Sequence, residues 1–172
     1  MSRQSDAQTI DYLRQRSVEL DNEDALTYAL TTSIAGTSDA LGEVAANRMI
    51  IPSGQKLIAA QFLGALHGAQ QFMNETVEKF DKEAGPLWGT TEMHSARATI
   101  RDKAHRYAFT LFGFASKMQP NGILTDEDLD KIANELLGFQ KVVFDSAGTL
   151  HNGISAERGR VAKRISALEA KI

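Results

Sequence analysis

Helix-forming residues 90–118 contain the group best suited to chemistry. His94, Arg101 and His105 are separated by seven and four positions, with Arg97 beside them. On a 3.6-residue helix the steps of seven and eleven counted from His94 return to within about 20° of its direction. Two imidazoles that titrate near neutral pH, flanked by two guanidiniums, would make an anion site. The stripe lies roughly 100–120° from the centre of the helix's apolar side, where a solvated flank is the simpler reading.

His67 stands apart, between Leu66 and Gly68 on an otherwise apolar stretch. Beside glycines that admit a flat ring it could serve as an axial ligand to haem. Nothing pairs with it by spacing, so a histidine with a satisfied hydrogen bond is the plainer assignment. Carboxylate di-metal bundles need two Glu-x-x-His motifs and two further inward glutamates. The chain has none, and Asp102-x-x-His105 is its nearest approach. Placing Gly122 at the sixth position of a calcium loop puts Lys117 first, where an oxygen ligand is required. Helix capping by Thr125, with Asp128 three residues on, explains that segment better. There is no cysteine, no Gly-x-Ser-x-Gly elbow and no phosphate-cradling glycine loop. The expectation is therefore no metal, no cofactor and no catalytic residues.

Charge is uneven. Residues 1–86 hold 7 basic and 12 acidic side chains, and residues 87–172 hold 12 and 10, giving the net −3 of the whole. Arg158, Arg160, Lys163 and Arg164 concentrate the basic excess near the C-terminus. They are the predicted partner-binding group, docking on an acidic surface of the chain's own first half or of a neighbouring subunit, with a solvated polar face as the simpler reading. Nucleic acid is disfavoured, because so few contacts bind phosphate weakly and no aromatic residue interleaves to stack bases. Small residues recur at steps of four, as Gly36 and Ala40 in one stretch and Gly64 and Gly68 in another. A glycine inside a helix costs about 1 kcal/mol relative to alanine, so this spacing predicts close helix packing, within one subunit or between copies.

The elements that must position these groups are helices. The three prolines, Pro52, Pro86 and Pro120, cut the 172 residues into long pieces whose apolar residues recur at three and four. The pattern predicts an all-α, single-domain bundle of five or six helices over residues 1–172, with a short polar tail at 1–6. A first helix carries Ile10, Leu13 and Leu20. Asp21 or Asn22 caps a second, broken near Gly36 because Thr31–Ser38 are poor helix formers. Ser53 caps a third, carrying Leu57, Ile58, Phe62, Leu66, Met73, Val77 and Phe80 as far as Gly85-Pro86. Thr90 or Thr91 caps a fourth, and Pro120-Asn121-Gly122 turns the chain. The fifth runs from Thr125 to His151-Asn152-Gly153, and the sixth carries Ile154, Val161, Ile165 and Leu168. No strand is predicted.

No stretch is apolar for the roughly 20 residues a membrane span needs, and no apolar segment follows Met1 to suggest a signal peptide. These features predict a cytoplasmic protein, with export lacking a cleaved signal left open. The expected function is a non-enzymatic helical module that works through protein contacts. It would be an adaptor, a phage-encoded or secreted inhibitor, or a self-assembling subunit, so its partner is another protein or itself as a homo-oligomer. The alternatives are a bundle holding an apolar small molecule or haem near His67, Phe72 and Tyr107, and a weak nucleic-acid binder using the C-terminal helix.

Overall fold

The structure, a computed structural model, describes residues 3–46, 48–50, 56–58, 60–83, 89–118 and 123–172. Four helices dominate them: α1 (Arg3–Ala46), α2 (Ala60–Glu83), α3 (Thr91–Met118) and α4 (Asp126–Glu169). Each packs on two others, in the cyclic order α1, α2, α3, α4. The cross-links give the directions. Arg14 meets Glu169 and Ser38 meets Gln140, so α1 and α4 are antiparallel. Lys117 meets Asp128 and Thr110 meets Glu135, so α3 and α4 are antiparallel too. The result is an up-down-up-down bundle.

Among the described residues four helices stand where five or six were expected, because two expected breaks are absent. The helix α1 runs straight through Asp21-Asn22 and Gly36. Leu20, Leu30 and Ile34 are fully buried on either side of those positions, and a single uninterrupted helix keeps them on one stripe. The weak helix formers are accommodated by back-bonding. Thr27 Oγ1 donates to the Glu23 carbonyl and Thr37 Oγ1 to the Ser33 carbonyl, both at 2.8 Å, so the buried hydroxyls are satisfied without leaving the helix. Likewise α4 passes through His151-Asn152-Gly153, since Leu150 and Ile154 both belong to the core. Gly153 is there for closeness: a Cβ on it would sit 2.5 Å from Met93 Cγ of α3.

A small antiparallel sheet is the other departure from expectation. Strands β1 (Arg48–Ile50), β2 (Lys56–Ile58) and β3 (Ile123–Leu124) pair in the order β1-β2-β3, with Met49 opposite Leu57 and Leu57 opposite Ile123. Leu57 and Ile58 therefore precede the helix they were expected to join. Strands of two or three residues are too short to display alternation. The sheet lies in the two crossovers at one end of the bundle.

Two expected caps are present. Thr90 Oγ1 accepts from Met93 N at 3.3 Å, just after Gly89, whose φ of 109° suits glycine. Thr125 Oγ1 accepts from Asp128 N at 3.1 Å. Asp128 also accepts from Lys117 Nζ at 2.7 Å, and this bond, with that of Thr125, holds its carboxyl below the usual 3.8. The expected features at Ser53, Gly85-Pro86 and Pro120–Gly122, and the side chains of Phe62 and Leu66, lie outside the described residues.

Candidate functional site

The stripe on α3 is occupied from within. Arg97 is buried and donates through Nε and Nη2 to the two carboxylate oxygens of Glu23, itself fully buried on α1. His94 Nδ1 lies 3.3 Å from Arg97 Nη1. Arg101 Nε lies 3.0 Å from Asp81 Oδ1 of α2, and His105 Nε2 pairs with the other oxygen of the same carboxylate. Glu23 and Asp81 thus supply carboxylate partners for Arg97, Arg101 and His105 from within the chain. The residues expected as an anion site are internal ties joining α3 to α1 and α2.

The C-terminal basic group divides. Arg158 reaches back to α1, with Nε 2.6 Å from Asp21 Oδ1 and Nη2 3.1 Å from Asp24 Oδ2. Arg160 joins Glu157, which also accepts from Arg16 Nη2 of α1 at 2.7 Å. Lys163 and Arg164 are exposed on α4, and Arg164 lines a groove shared with Thr9, Tyr12 and Arg16 of α1. Docking on the acidic first half of the chain is therefore what Arg158 does.

The small residues do not face neighbouring helices. A Cβ built on Gly36, Gly64 or Gly68 would meet nothing within 4 Å among the described residues, and Ala40 is only half-buried. The close approach is made elsewhere, at Gly153 against Met93.

His67 is half-buried and is engaged by a neighbouring group. Tyr107 is fully buried, with its hydroxyl 3.0 Å from Ser38 Oγ and 3.5 Å from the Ile34 carbonyl. Burial pushes its phenol above 10.0, partly offset by the Ser38 bond. Phe72, by contrast, is largely exposed. Among the described residues, no cluster of acids and histidines could hold a metal.

Two surfaces went unremarked in the sequence. On α3, residues 107–115 read Tyr-Ala-Phe-Thr-Leu-Phe-Gly-Phe-Ala. Tyr107, Ala108, Leu111, Phe114 and Ala115 face the core, while Phe109 and Phe112 are 78% and 53% exposed. Three positions apart, the two phenylalanines are neighbours on the helix surface. A helical segment apolar on both faces is the available signal for such a site. On the opposite seam, a groove of about 460 Å³ runs between α1 and α4. Among the described residues, no helix is long and apolar enough to cross a membrane. Comparison with protein-family models, curated proteins and solved structures finds no match for the chain.

Proposed function

We propose that this protein is a non-enzymatic helical module that works through protein contacts, and that the outer face of α3 around Phe109 and Phe112 is its contact surface. One observation carries the reading: two adjacent phenylalanines, each more than half exposed, on the side of α3 facing away from the core. Fully burying such a side chain contributes roughly 1.5–3 kcal/mol, and aromatic anchors of this kind dominate the energetics of protein interfaces. Single apolar residues on a surface are ordinary, but an adjacent aromatic pair on a helix whose inner face is already committed to the core is the arrangement a partner covers. A second copy is the first candidate partner, which would make the protein a homo-oligomer.

The test is the mass in solution. Light scattering on the purified protein is expected to give a concentration-dependent mass above the 18.8 kDa of one chain. Phe109→Glu with Phe112→Glu is expected to return it to the single-chain mass with the helical circular dichroism intact. A wild-type chain that stays single at every concentration would remove self-assembly. If the double variant also kept every protein contact of the wild type, the α3 face would not be the contact surface.

A further inference from the structure

The groove between α1 and α4 is a second, independent feature. It is lined by small residues, Ala35 on α1 and Ala147 and Gly148 on α4, by Thr27, Thr31 and Thr32 of α1, and by the larger Tyr28 and Phe144, 74% and 36% exposed. Gly148 is not glycine for reasons of packing, since a Cβ there would meet nothing within 4 Å. One end is polar and already organised. His151 Nδ1 lies 2.7 Å from Asp24 Oδ1, and the other oxygen of Asp24 accepts from Arg158. A carboxylate oxygen accepts, so the ring nitrogen facing it, Nδ1, is the donor, and in the neutral tautomer this contact selects, Nε2 is the acceptor.

We propose that this groove binds a flat aromatic small molecule bearing one phenolic O–H or amine N–H. The ring would lie against Ala35, Ala147 and Gly148 with Tyr28 and Phe144, and its donor would point to His151 Nε2. The volume falls within the range of small-molecule sites, and an apolar lining with a few convergent polar groups is their usual composition. Asp24, the one carboxylate lining the groove, is engaged by both His151 and Arg158, the latter shared with Asp21, so no unpaired charge lines it and an uncharged donor suits it better than an ion.

The probe is N-phenyl-1-naphthylamine, an uncharged aromatic amine whose emission rises and shifts to the blue in apolar surroundings. The full chain is expected to bind it saturably, one per chain, and 1-naphthol is expected to displace it better than naphthalene does. Gly148→Leu fills the groove and should weaken binding by about tenfold or more, equivalent to a loss of at least one fold-decade. Gly159→Leu, on the same helix but outside the groove and equally open, should leave binding unchanged. Tyr28→Ala removes a lining ring without touching the core and should also weaken binding, which keeps the test decisive if Gly148→Leu fails to fold. Absence of saturable binding overturns the proposal. So does undiminished binding by a folded Gly148→Leu or by Tyr28→Ala, or naphthalene competing as well as 1-naphthol.

Discussion

Glu23 and Arg97 form the most consequential pair of side chains in the bundle, because both charges are buried and each depends on the other. Removing one partner of a buried ion pair strands the other, which costs about 3–5 kcal/mol, whereas replacing both with well-packed apolar residues can be neutral. Glu23→Ala is therefore expected to destabilise the fold by about that amount in urea unfolding, and Glu23→Leu with Arg97→Met by much less. An equal loss in both would show that the pair contributes through packing rather than charge. Tyr107 supplies a pH signature. Its phenol titrates above 10.0 in the folded chain, so the unfolded state loses its proton first as pH rises. Its contribution is complete below pH 10.0 and fades as pH climbs from there through the folded-state value. Tyr107→Phe should cost about 1 kcal/mol near neutrality and reduce the alkaline loss of stability relative to wild type. Sequence spacing put His94, Arg101 and His105 on one stripe of α3 with Arg97 beside them. It could not show that Glu23, 74 positions away, and Asp81, on another helix, would reach them.

At the scale of the elements, glycines sort by what a methyl group would meet. At Gly36, Gly148 and Gly159 there is open space, so alanine should recover up to about 1 kcal/mol of helix propensity. At Gly153 the same change pushes a Cβ into Met93 Cγ and Sδ, at 2.5 and 2.8 Å, and overpacking of about 1–3 kcal/mol outweighs the propensity gain. Thermal unfolding of Gly153→Ala beside Gly159→Ala should move the midpoint in opposite directions. The split also explains why helix ends were the least legible part of the sequence. Asn152-Gly153 has the composition of a helix stop, yet glycine there serves the contact of α4 with α3. Thr27 and Thr37 are weak helix formers, yet their hydroxyls find carbonyls one turn back. Periodicity at three and four revealed the helices, because it reports the buried stripe directly. Interruptions report only local preference, and burial of Leu20, Leu150 and Ile154 overrides that preference.

At the scale of the molecule, α1 and α4 hold 44 residues each against 24 and 28 for α2 and α3. At about 1.5 Å per residue the first pair outreaches the second by some 25–30 Å. The surplus is the N-terminal part of α1 lying along the C-terminal part of α4, joined by Arg14 to Glu169 and Arg16 to Glu157. Ile10, Leu13 and Val161 are buried there between two helices alone. That arm is expected to exchange amide hydrogens faster than the four-helix region, where Leu30, Ile34, Ile100 and Leu111 are fully enclosed. The all-helical character was legible because it depends on pattern alone, whereas the outward aromatic face of α3 depends on which side of an apolar segment the bundle uses. Contact through that face is tested most directly by a photo-crosslinking residue at position 109 in the cell that makes the protein, with position 130, an exposed aspartate on α4, as control. Contact through α3 predicts a protein adduct heavier than 18.8 kDa from position 109 and little from position 130. A chain that emerges unadducted from position 109, or equally adducted from both, contradicts it.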